Sequence, residues 1–155
     1  MTAEKNIWAF SDVDDMLIAT VRKAPIDGSH PAAVDDKGVV CGWLTPKQSR
    51  FLEMFRGQVN MVLTTARTSK GVSQLNLPVS GYAIVSFGGV IRRPDGSAEP
   101  HFRALMVAQC VQVKPGLREL LALIESTCKQ RGINARARVV SDDGLDLFLS
   151  AKHNE

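Results

Sequence analysis

The sequence predicts an α/β protein, with a parallel-stranded core over residues 1–100 in a three-layer α/β/α arrangement and a smaller α+β module over residues 101–155. Three observations carry this reading. Two short apolar runs, Ile7-Trp8-Ala9-Phe10 and Val59 to Leu63, each end abruptly in polar residues, as buried parallel strands do. A strongly signalled helix lies between them, and the order strand, helix, strand makes a right-handed crossover. After about Pro100 the pattern changes to an amphipathic helix followed by two alternating strands.

The first strand ends at Ser11 and a set of acids, which therefore sit at its C-terminal edge, where open α/β sheets bind ligands. From Arg22 to Trp43 the chain is rich in Pro, Gly and Asp. Ala32 to Val34 and Val39 to Trp43 flank Asp35-Asp36-Lys37-Gly38, and this spacing predicts a small flap-like hairpin. Thr45-Pro46-Lys47-Gln48 starts a helix with three agreeing signals: a capping hydroxyl, Pro at the first helical position and Gln at the third. Phe51, Leu52 and Phe55 form its buried face, and Gly57 ends it.

The second strand leads into Thr64-Thr65-Ala66-Arg67 and a short helix over Lys70 to Leu75. Ala83 to Ser86 reads as a third strand, Gly88-Gly89 as a tight turn into Val90-Ile91, and Pro94-Asp95-Gly96 as a reversal. Lys114-Pro115 opens the late helix, whose apolar residues Leu117, Leu120, Leu121, Ile124 and Cys128 recur at helical spacing up to Gly132. Ala135 to Val139 and Leu145 to Leu149 alternate about Asp142-Asp143-Gly144, the pattern of an antiparallel hairpin.

Composition bounds the function. With 155 residues, 45% hydrophobic and 23% charged, the chain can bury a core. No apolar run reaches the ~18 residues of a membrane span, and Glu4 and Lys5 precede the first apolar stretch, so a cytoplasmic protein without membrane attachment is expected. A net charge of +3 with scattered cations gives nucleic-acid binding little support. Cys41, Cys110 and Cys128 are odd in number and widely spaced, the pattern of buried reduced thiols rather than of a disulfide framework or zinc site.

The chemistry-bearing segment is Phe10-Ser11-Asp12-Val13-Asp14-Asp15-Met16-Leu17. Two carboxylates one residue apart beyond a strand reach one crevice, where one can attack and the other can move protons. Their mutual repulsion is offset by a divalent cation, and magnesium suits oxygen ligands and phosphate.

At these residues the sequence resembles the haloacid-dehalogenase-like superfamily, in particular its Cof-like and sucrose-phosphate-phosphatase-like hydrolases with a type-II cap. The resemblance implies that Asp12 is the nucleophile that forms an aspartyl-phosphate. It implies that Asp14 protonates the leaving oxygen, and that Mg2+ is held by the Asp12 carboxylate and the Asp14 backbone carbonyl. Met61-Val62-Leu63-Thr64-Thr65-Ala66-Arg67 is similar to the second family motif, so that Thr65 and Ala66 would contact the phosphoryl group and Arg67 would shape the loop or meet substrate phosphate. Val85 to Ile91 is similar to a third segment, in which Gly88 and Gly89 would bring backbone amides to the ligand. Lys152 is the candidate for the lysine that neutralises phosphoryl charge. Met16 and Phe87 depart from the family pattern, and a late acidic motif that completes the magnesium site has no match.

The expected activity is hydrolysis of a small phosphorylated metabolite, plausibly a sugar phosphate, with the late residues as cap. A non-catalytic phosphate-, metal- or partner-binding form is the alternative. A signalling receiver domain needs an Asp after the middle strand, and none follows Leu63. A sheet left unfinished at Glu155 would expose an apolar edge, from which self-association is expected.

Overall fold

The computed structural model describes residues 7–21, 23, 27–79 and 81–154; Glu4, Lys5 and Arg22 lie outside the described residues. Two compact units make up the chain, Met1–Glu99 and Pro100–Glu155. The first contains, in order, β1 (Trp8–Asp12), β2 (Ala19–Thr20), β3 (His30–Val34), β4 (Val40–Leu44), α1 (Pro46–Phe55), β5 (Asn60–Thr64), α2 (Ser69–Ser73), β6 (Ala83–Val85) and β7 (Val90–Arg92). The second contains α3 (Pro100–Arg131), β8 (Ala135–Asp142) and β9 (Leu145–His153).

The main sheet has the order β1-β5-β6-β7, parallel between its first three strands and closed by antiparallel β7. The β1–β5 register runs from Trp8 against Asn60 to Asp12 against Thr64, so successive residues alternate between two faces. One face meets the helix layer: Met61 packs with Leu17 and Leu52, and Leu63, Phe51 and Phe55 close around them. The other face of β1 carries Trp8 and Phe10, 53% and 65% exposed.

The described helices α1 and α2 of this unit lie on one side of the main sheet. The reason is topological. Strand order advances in one direction from β1 through β5 to β6, and right-handed crossovers then deliver α1 and α2 to the same side. A helix on the opposite side needs a reversal of strand order, which this unit lacks.

Helix α1 forms as its sequence dictates. The Thr45 hydroxyl accepts from the Gln48 amide (3.3 Å) while the Thr45 amide donates to Gln48 Oε1 (3.0 Å), a complete capping box with Pro46 at the first turn. The flap is a three-stranded antiparallel sheet, β2-β4-β3, one strand more than the expected hairpin. Ala32 and Ala33 of β3 pack with Val13 and Ile18 of the loop after β1 in a second core cluster, which fixes that loop against the flap.

Gly81, two residues before β6, lies hard against β5: a Cβ there would collide with the Met61 carbonyl. That oxygen belongs to the backbone and has no flexible side chain to move aside. Gly81→Ala is expected to destabilise the protein by about 1–3 kcal/mol, read as a lower urea midpoint at unchanged m-value. A midpoint equal to that of the parent would count against the close strand approach.

In the second unit the helix begins at Pro100, fourteen residues before the expected start at Lys114, and Pro115 lies inside it. Pro115 removes one amide donor and leaves the Val111 carbonyl without its helical partner. Both residues are exposed, so water can satisfy that carbonyl at small cost. The buried stripe correspondingly starts earlier, with Cys110 at 7% exposure, whereas Leu120, expected inside, is 46% exposed. Gly132 (φ 64) ends the helix, and the Ile133 amide donates to the Cys128 carbonyl at 2.9 Å. β8 and β9 form the antiparallel hairpin, turning at Asp143 and Gly144, both in the left-handed region.

Candidate active site

Three loops leave the C-terminal ends of β1, β5 and β6 on the same edge of the sheet, and backbone hydrogen bonds tie the last two together. The Thr65 amide donates to the Ile84 carbonyl (2.9 Å), the Ser86 amide to Arg67 (2.8 Å) and the Phe87 amide to Thr65 (3.3 Å). Asp12 ends β1 beside Thr64, and its side chain is exposed. The Val13 amide donates to Asp12 Oδ1 at 2.8 Å, and Oδ2 has no hydrogen-bond partner among the described residues.

Asp14 faces the neighbouring loop. Arg67 Nε and Nη2 donate to its two carboxylate oxygens at 2.9 and 2.7 Å, a bidentate fork across 53 residues of sequence. The pair is partly shielded, with the Arg67 and Asp14 side chains 19% and 35% exposed. Hydrogen bonding to Asp14 holds the Arg67 guanidinium above its ordinary value, against the opposing effect of burial. Thr65 is buried (8% exposed), and its hydroxyl accepts from the Arg67 amide at 3.1 Å, which leaves the hydroxyl proton to donate outward. Ala66 is exposed at the tip of this loop.

Asp15 has a different task. Its backbone is left-handed (φ 62), and its carboxylate accepts from the Thr20 amide (3.2 Å) and hydroxyl (3.0 Å), with Lys23 Nζ at 3.3 Å. The Thr20 bonds, and then Lys23, lower its pKa below the ordinary aspartate value. Asp15 thus clamps the loop that presents Asp12 and Asp14. Only a carboxylate three residues after Asp12 hinted at this, and nothing in the sequence singled it out.

Gly88 and Gly89 behave differently from each other. Gly88 is left-handed (φ 90) with open space around it, so its conformation calls for glycine, whereas Gly89 has an ordinary helical backbone. The unexpected feature is that Ser86 (φ 53) and Phe87 (φ 55) are left-handed as well. Such backbone costs on the order of 1–3 kcal/mol per residue and persists only where the surroundings impose it. Here the two amide bonds to Arg67 and Thr65 impose it, and Phe87 is left 76% exposed at the loop tip. Lys152 lies on β9 in the second unit, directly across from Arg136.

Among the described residues no three Asp, Glu, His or Cys side chains come together as a metal cage. Asp14 is committed to Arg67, so Asp12 is the carboxylate available at this edge. Magnesium commonly keeps several waters and takes one or two carboxylates plus substrate phosphate. The donor set therefore fits a weak site completed by substrate and not a preformed one.

No family model matches the chain, and no curated protein sequence matches it. No helix of the described residues is long and apolar enough to cross a membrane.

Proposed function

We propose that this edge is a phosphoryl-transfer site of the haloacid-dehalogenase type, hydrolysing a small phosphorylated metabolite in the cytoplasm. The observation that carries the reading is the convergence of an exposed Asp12, a buried Thr65 with a hydroxyl proton to donate, and the Asp14–Arg67 pair at the C-terminal ends of adjacent parallel strands. Asp12 attacks phosphorus, and the bond to the leaving oxygen breaks as the acyl phosphate forms. Asp14, once it is released from Arg67 and has taken up a proton from solvent, protonates that oxygen and then takes a proton from the water that cleaves the acyl phosphate. For Asp14 to do so, Arg67 must transfer its fork from the carboxylate to phosphoryl oxygens, which present the same geometry. Thr65 donates to a third oxygen. Magnesium, held by the Asp12 carboxylate and the Asp14 backbone carbonyl, would supply charge neutralisation at the phosphoryl group. In this reading the second unit acts as the cap.

A second reading has its own observation. The Asp14–Arg67 fork occupies the general acid, and without its release the loop binds phosphate and does not turn it over. Hydrolysis of an aryl phosphate, with and without magnesium, separates the two.

We propose also that the β1 edge pairs with a second copy. Among the described residues β1 pairs with β5 alone, contains no Pro or bulge, and together with the preceding Ile7 presents exposed Trp8 and Phe10. Sedimentation at micromolar concentration is expected to show dimers, and Trp8→Lys to return the protein to monomers. A monomeric parent protein would remove this proposal.

A further inference from the structure

The outward strand face of the β8–β9 hairpin concentrates cations that nothing in the described residues neutralises. Arg136 lies directly across from Lys152, and Arg138 across from Ser150. Residues two apart on a strand share a face, so Arg136, Arg138, Ser150 and Lys152 project together, and they line a concavity of about 310 Å³. Directly opposed side chains stand about 4.5–5.5 Å apart and diagonal ones about 7–8 Å, and opposed like charges destabilise a hairpin.

The described acids of the hairpin are engaged elsewhere, Asp142 by the Asp143 amide at 3.0 Å. Asp143 receives Arg103 at 2.6 Å, and Asp146 receives Lys114 at 3.2 Å together with the Ser141 hydroxyl at 2.7 Å. Charge in this hairpin is thus segregated: acids near the turn are matched by cations from α3, and cations near the open end have no acid partner among the described residues. The repulsion between Arg136 and Lys152 serves no folding purpose, and an anion between them would relieve it.

We propose that this face is an anion site built from the second unit's own residues, and that it takes a compact phosphate group carrying two or more negative charges. Two guanidinium forks and an ammonium within one diagonal match the oxygens of a pyrophosphate or a terminal phosphate ester, and Ser150 adds a neutral hydroxyl. The site needs no chemistry at Asp12, so its failure and the failure of the phosphatase reading are distinguishable.

The test is titration calorimetry of the full chain with inorganic pyrophosphate and with glucose 6-phosphate, against chloride at matched ionic strength. Binding at the hairpin is expected, weakened about tenfold by Arg138→Gln and abolished by Arg136→Gln combined with Lys152→Gln, while Gln130→Ala on the exposed surface of α3 leaves it as in the parent. Tighter binding of the ester than of pyrophosphate would identify a phosphorylated metabolite as the source of the anion, and the reverse an inorganic one. Because removing either member of the opposed pair relieves repulsion, Arg136→Gln without anion should raise the melting temperature by about 1–4 °C, which also verifies folding. The proposal is overturned by equal binding in the double variant, by no binding at millimolar pyrophosphate, or by a single-stranded oligonucleotide binding in preference to both phosphates.

Discussion

Asp12→Asn is expected to reduce magnesium-dependent hydrolysis of an aryl phosphate by on the order of 10³-fold or more, because an amide cannot form the acyl phosphate. Stability should barely change, since the side chain is exposed and its one described contact is with the next residue's amide. Activity loss at constant melting temperature is therefore the signature sought. A trapped acyl phosphate, or its trifluoroberyllate mimic, should form on the parent and not on the variant. Equal hydrolysis by parent and variant would assign the phosphate chemistry to another group and remove Asp12 from the mechanism. Absence of hydrolysis in both, with the trifluoroberyllate adduct still specific to Asp12, would select the binding reading.

Local signals were legible in the sequence because their physics is local. The Thr45–Gln48 capping box involves four consecutive residues, and the Asp143-Gly144 turn needs only two left-handed positions between alternating strands. The apolar run ending in Asp12 identified both a strand and the edge at which its acids lie. Pro115 misled for an equally local reason: Pro is favoured at a helix start, and only the exposure of its surroundings makes an interior position tolerable. The left-handed Ser86 and Phe87 were illegible because their conformation is imposed by hydrogen bonds from another loop, while Gly88-Gly89 drew the expected turn two residues late. The placement of both helices on one side of the sheet depended on strand order, which no single segment encodes.

The Asp14–Arg67 fork was the least legible feature, joining residues 53 apart, and it decides what the site can do. Replacing Arg67 with Met keeps most of the side chain's bulk and removes the fork. An exposed ion pair contributes about 0–1 kcal/mol, and breaking a fully buried one costs about 3–5 kcal/mol. With side-chain exposures of 19% and 35%, the expected loss is intermediate, about 2–3 kcal/mol. A double-mutant cycle with Asp14→Asn isolates the coupling, and near-additive losses would mean that the fork contributes little.

The kinetic outcome separates two roles for the same arginine. If Arg67 moves from Asp14 to the phosphoryl group, Arg67→Met should raise KM and lower kcat together, by about tenfold to a hundredfold in kcat/KM. If Arg67 instead restrains Asp14, the variant should turn over faster than the parent despite its lower stability. Lys at position 67 sharpens the distinction, since an ammonium can still meet phosphate as a point charge but cannot hold both carboxylate oxygens. Partial rescue of turnover by Arg67→Lys, with stability remaining low, would place the guanidinium's main task on the substrate and leave its pairing with Asp14 as the resting state of the loop.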